Sequence, residues 1–93
     1  MKVRFYVDPT TDASHVYGHG VSEHEVEEVL SRPAEDRPGQ HGAGAPSRQT
    51  SGGRFLRVIY VPDPEPNSVF AITAYELRGK PLIAFRRRRR RIR

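Results

Sequence analysis

The sequence predicts a small α+β domain, an antiparallel sheet packed by helices. Three observations predict it. Residues 22–33 carry the start, the apolar stripe and the stop of one short helix. Residues 54–61 and 69–75 are apolar runs of strand length, rich in β-branched and aromatic side chains. At the N-terminus Val3, Phe5 and Val7 alternate with more polar neighbours, the period of a half-buried strand. The chain has 93 residues, enough for one domain with one modest core. A domain of this size buries only about 60–65% of the surface that its unfolded chain exposes.

The first strand ends at Asp8-Pro9. Residues Thr11 to Gly18 are expected to form a short helix, with Thr10 or Thr11 as N-cap and Gly18 or Gly20 as its stop. The next helix is expected at about residues 23–31. Ser22 and Glu25 have the spacing of a capping box, and Val21 and Val26 that of a hydrophobic staple. Glu23 and Glu25 lie at the positive end of the helix dipole. Val26, Val29 and Leu30 form the stripe, Arg32 lies near the C-terminus, and Pro33 stops the helix. Residues 34–47 are rich in Gly, Pro and charge, and read as a long mobile loop. Arg48 to Thr50 suggest a short strand, and Ser51-Gly52-Gly53 a turn. Arg54 to Val61 and Val69 to Tyr75 are apolar on both faces, as in central strands. The proline-rich stretch 62–67 between them cannot continue a ladder and reads as a surface loop. After Pro81, Leu82, Phe85 and Ile92 could share a helical face, while adjacent arginines repel one another and favour an extended segment. Both conformations stay open for this stretch.

The charge is unevenly placed. The formal net charge is +5, yet residues 86–93 hold seven of the 16 basic residues and no acid. Residues 1–85 carry nine basic groups against 11 acidic ones, a net of −2. The chain therefore reads as a domain, 1–85, followed by an arginine-rich C-terminal tail, 86–93. Such asymmetry suggests an anionic partner, with a merely solvating tail as the plain alternative. No stretch approaches the roughly 18–20 apolar residues of a membrane span. The first residues show no apolar core or cleavage site of a secretory signal. There is no cysteine, which excludes disulfides and thiolate metal sites. The expected location is the cytoplasm, with no membrane partner.

Several short motifs occur in order. His15-Val16-Tyr17-Gly18-His19-Gly20-Val21-Ser22 resembles the H-x-x-x-H-G-V-S/T opening of BrnT-like proteins and their uncharacterised relatives. The helix with Arg32-Pro33 continues the pattern. The stretch from Arg48 to Tyr60 resembles the family's R…T-x-x-G-R-x-L-x-V-V segment, and Val69 to Tyr75 its V-I-T/S-A-R segment. The family's usual arginine after the alanine is Tyr75 here, and the 34–47 segment is longer. The resemblance implies a RelE-like fold and a toxin-type ribonuclease of a type II toxin–antitoxin pair. It further implies mRNA as substrate, with the ribosome as one setting for cleavage, and a DNA-binding antitoxin as partner. A non-catalytic RNA- or protein-binding module on the same fold is the alternative.

Metal-independent cleavage by the 2′-hydroxyl needs a base, an acid and cations at the phosphate, and no cofactor. Histidine suits proton transfer because its ordinary pKa is near ~6.5. His15 and His19, four residues apart, are the candidates, each weighed against a packing or capping role. A metal site is not expected, because a third ligand is missing. His24 falls opposite the apolar stripe and reads as solvated; His41 lies in the loop. Arg48 and Arg54 flank the Gly-Gly turn. They read either as a phosphate clamp or as salt bridges to the glutamate-rich helix. Glu76 is a base or a surface carboxylate. Arg86, Arg87, Arg88, Arg89, Arg90, Arg91 and Arg93 are the candidate RNA contacts, because guanidinium forks match phosphate oxygens.

Overall fold

The computed structural model describes residues 1–39 and 42–92, the last two of these by backbone alone. Within them the chain forms an α+β fold built on a five-stranded sheet. Its strands are β1 (Lys2–Phe5), β4 (Glu35–Pro38), β5 (Gly44–Gln49), β6 (Phe55–Pro62) and β7 (Ser68–Glu76), in the spatial order β1-β7-β6-β5-β4. The pairings β4–β5, β5–β6 and β6–β7 are antiparallel. β1 instead lies parallel to β7, so the sheet is mixed rather than purely antiparallel. Parallel neighbours need a long connection, and here nearly the whole domain lies between the two strands.

One helix and a single 3-10 turn cover one face. Helix α1 spans Glu23–Ser31 and the 3-10 turn His15–His19. The predicted cap of α1 forms in full: the Glu25 N–H donates to Ser22 Oγ at 3.1 Å, and the Ser22 N–H donates to Glu25 Oε1 at 3.0 Å. Such a cap contributes about 1 kcal/mol. Val21 and Val26, the predicted staple, are both buried. Val26 and Val29 join Val16 and Val21 against Leu56, Val58, Ala71 and Ala74 of β6 and β7, with Val3, Phe5 and Leu30 at the margin. Ala71 and Ala74 are three residues apart, a spacing that period-two alternation would put on opposite faces. The register shift between Ile59 and Tyr60 resolves this: Val58 pairs with Ala74 and Tyr60 with Ala71. The bulge thus returns both alanines to the core. At the neighbouring pair, Gly44 lies under Tyr60, whose ring would stand 2.4 Å from any Cβ placed there.

Two sequence expectations are corrected. Residues 11–18 do not form one helix. Val7–Asp8 (β2) pairs with Ala13–Ser14 (β3) through a tight turn, with Asp12 at φ 57. The Asp8 carboxylate accepts from the Thr10 N–H at 2.8 Å, and Thr11 Oγ1 accepts from the Ala13 N–H. These local bonds satisfy the backbone in a turn and compete with helix. Only His15–His19 remains for a 3-10 turn, closed by Gly20 at φ 72. Residues 34–47 are likewise no long loop: β4 and β5 pair from Glu35–Ser47 to Pro38–Gly44. Pro38 and the charges lie on β4, the edge strand, where a missing donor is tolerated, whereas Pro46 is buried in β5, at a gap in its pairing with β6 between Gly44 and Ser47. His41 lies outside the described residues.

Helix α2, Gly79–Ile92, settles the conformation of the arginine segment as helical. Phe55 follows Arg54 and precedes Leu56, so it faces away from the α1 core. There it meets Phe85 of α2 edge-on, with ring centroids 5.9 Å apart. The two helices therefore lie on opposite faces of the sheet. Among the described residues no helix is long and apolar enough to cross a membrane.

Candidate nucleic-acid interface

The arginines of α2 fall into two sets because Phe85 anchors the helix to the sheet. One turn beyond it, Arg88 and Arg89 reach back to β4 and its approach. Arg88 grips Glu35 with two bonds, Nε at 2.7 Å and Nη2 at 2.9 Å. The Arg88 guanidinium holds the Glu35 carboxyl below the usual carboxylate range. Arg89 Nη1 donates to the Ala34 carbonyl at 3.1 Å, a bond that leaves its charge uncompensated. Arg86, Arg87 and Arg90 are exposed, and among the described residues none has a carboxylate within 4.0 Å. Arg86 stacks over the Phe55 ring at 5.7 Å.

Between α2 and the end of β5 lies an open cleft of about 600 Å³. Arg48, Arg86, Arg89 and Arg90 surround it, over a base of Ala34, Gln49, Phe55 and Phe85. Phe85 is 2% exposed and serves packing alone. Phe55 already carries Arg86. The cleft thus offers guanidinium edges, the donors that suit a chain of phosphates, more than an aromatic face for bases. Arg48 enters from the sheet: Nη1 donates to the Arg32 carbonyl at 2.7 Å, and Nε lies 4.0 Å from Glu28 and is buried without a hydrogen-bond partner. Arg91 (beyond its backbone) and Arg93, also candidate contacts, lie outside the described residues.

The two histidines come together elsewhere. His15 Nε2 and His19 Nε2 are 3.3 Å apart, and the rings meet at 71°. On the other side of the ring, His15 Nδ1 lies 3.6 Å from Asp8 Oδ2. The Asp8 carboxyl is held below its ordinary range, first by the Thr10 N–H and then by His15. Tyr6 packs against the His15 ring. The arrangement is a carboxylate–imidazole–imidazole chain open to solvent at His19. Neither histidine lines the arginine cleft. His24 is exposed.

Arg54 stands at the N-terminus of α1. Its Nη1 donates to the Gly20 carbonyl at 2.8 Å and to both Glu25 oxygens at 3.0 and 3.2 Å, and Nη2 lies 3.6 Å from Glu76. The hairpin does not merge Arg48 and Arg54 into one clamp. Each is drawn to a different glutamate of α1, Arg48 toward Glu28 and Arg54 to Glu25. A phosphate at Arg54 would face two carboxylates. Of the four catalytic candidates, the fold therefore pairs His15 with His19, sends Arg48 to the cleft and commits Arg54 to α1.

Sequence reasoning missed Glu35, which orients the arginine helix, and Asp8, which backs His15. Glu35 has no local signal, since Arg88 and Glu35 are 53 residues apart. Asp8 could have been found from the Asp-Pro-Thr turn, had the turn been carried through to Ser14. Comparison with protein-family models, curated proteins and solved structures finds no match to this chain.

Proposed function

We propose that this chain binds RNA through the arginine-lined cleft of α2 and acts on it as a toxin-type ribonuclease, the activity that the BrnT-like resemblance implies. The observation that carries the binding half is the cleft itself, where four guanidinium groups converge on one open space. The net charge of −2 over residues 1–85 leaves α2 as the source of long-range attraction to phosphate. For cleavage, the His15–His19 contact supplies two imidazoles for removing the 2′-hydroxyl proton and protonating the 5′-oxygen; the pair lies outside the cleft, so this half of the reading requires the RNA strand to run on from α2 to the 3-10 turn. The Asp8 carboxylate stands 3.6 Å from the first. On this reading the fold is RelE-like, the location cytoplasmic, and a DNA-binding antitoxin is the partner.

A second reading, an RNA-binding module without catalysis, draws on the placement of Arg54. With Glu25 and Glu76 around it, Arg54 does not add a cation for the scissile phosphate. Induced expression in bacteria separates the two. A ribonuclease arrests growth and shortens mRNAs, and co-expression of the protein encoded next to it restores both. Normal growth and intact RNA in cells holding soluble, folded protein would leave the binding module.

A further inference from the structure

The contact between His15 and His19 suits a second chemistry. From the Nε2 separation of 3.3 Å, the turn-on-turn placement of the rings and the carboxylate behind His15, we infer that this pair binds a borderline-soft divalent cation of the zinc class. In tetrahedral coordination with zinc–nitrogen bonds of about 2.0–2.1 Å, two imidazole nitrogens stand roughly 3.3–3.4 Å apart. The observed spacing is that of one edge of such a tetrahedron. It is also the spacing of an N–H···N bond, so distance alone does not separate a shared proton from a shared metal.

The surroundings favour the metal in a specific way. His15 turns Nδ1 toward Asp8 at 3.6 Å, within ion-pair range but beyond hydrogen-bond reach, and Nε2 toward His19. A ligating histidine characteristically donates its other ring N–H to a carboxylate, which fixes the tautomer and raises basicity. Asp8 is itself pinned by the Thr10 N–H at 2.8 Å, and Tyr6 packs on the His15 ring, with centroids 5.7 Å apart. Tyr6 on one side and the Asp8 carboxylate nearby thus restrict the His15 ring before any ion arrives. His19 is exposed and free to adjust. Among the described residues no cluster of three or more histidine or carboxylate side chains stands ready to hold an ion. The chain therefore supplies two ligands, and water completes the shell. This is an open site, weaker than a structural zinc site and exchangeable. The inference does not rest on ribonuclease activity. Should the pair also transfer protons, a bound ion would occupy both lone pairs and silence it.

The test is a titration of the purified full chain with Zn²⁺ alone, followed by calorimetry. One ion per chain is expected. Asp8→Asn should weaken binding by about 10–100-fold, the usual cost of a lost outer-shell partner. His19→Ala, which removes a ligand, should weaken it at least as much, and His24→Ala should leave it unchanged. His15→Gln is preferred to alanine because His15 is half-buried, and circular dichroism checks that each variant folds. Equal affinity in the wild type and in a folded His15→Gln/His19→Ala variant would overturn the inference. So would one ion per two chains, since a second chain would then be closing the site.

Discussion

Replacing Arg54 by alanine distinguishes a structural cation from a phosphate ligand. Arg54 ties three elements together: the Gly20 carbonyl after the 3-10 turn, Glu25 in the first turn of α1, and Glu76 at the end of β7. Hydrogen bonds to charged groups contribute roughly 1.5–3 kcal/mol when well buried, and exposed ion pairs only about 0–1 kcal/mol. The Arg54, Glu25 and Glu76 side chains are 33%, 21% and 33% exposed, between those limits. Discounted for solvent screening, the cluster is worth about 1–2 kcal/mol. In a domain near this size each kcal/mol moves the melting temperature by about 4–8 °C. Arg54→Ala should therefore melt roughly 5–15 °C lower by circular dichroism, with its RNA affinity unchanged below the transition. An unchanged melting temperature with a loss of RNA affinity would refute this reasoning and make Arg54 a phosphate contact.

Asp63 accepts from Arg4 Nε and Nη2, both at 2.7 Å, and from Ser68 Oγ, and the Arg4 guanidinium lowers its carboxyl from 3.8 to about 2. A depressed carboxylate pKa stabilises the fold above the unfolded value, so the stability gap between wild type and Asp63→Asn should close as pH falls from 3.8 toward about 2. His19→Gln keeps a hydrogen-bonding group but cannot become a cation. If the pair transfers protons, cleavage by the purified protein should fall by ~10²–10⁴-fold, and a loss below about tenfold would return His19 to a packing role.

What could be read from the sequence was what local chemistry decides. The Ser22–Glu25 capping box and the Val21–Val26 staple lie within five residues of one another, and α1 spans Glu23–Ser31 as expected. The two apolar runs became β6 and β7 because their both-sided apolar pattern matches a sheet covered on two faces. The segment 34–47 misled because Gly and Pro are common in loops, and only the pairing of β4 with β5 and of β5 with β6, neither of which is local to the segment's composition, selects strands. The 11–14 turn was hidden by a helix cap signal that Asp8 and Thr11 outcompeted. Among the site residues, a run of arginines announces itself, but which of them face the sheet depends on Phe85 and on Glu35 across the fold. The Arg48 and Arg54 alternatives were both chemically open in the sequence. Their geometry is that of bonds to α1, since Glu28 and Glu25 lie one turn apart along the helix and meet the two ends of the hairpin.

The most direct test of RNA binding through the cleft is the salt dependence of affinity, measured on one single-stranded RNA. The variant Arg86→Gln/Arg89→Gln/Arg90→Gln removes three of the four cleft cations and keeps Arg88 on Glu35, so α2 stays seated. Each cation paired with a single-stranded phosphate contributes about 0.7 to the slope of log K against log[salt], so the variant's slope should be shallower than the wild type's by about 2. Equal slopes and equal affinities, in a variant with the wild-type melting temperature, would contradict the account and place any RNA site elsewhere on the protein.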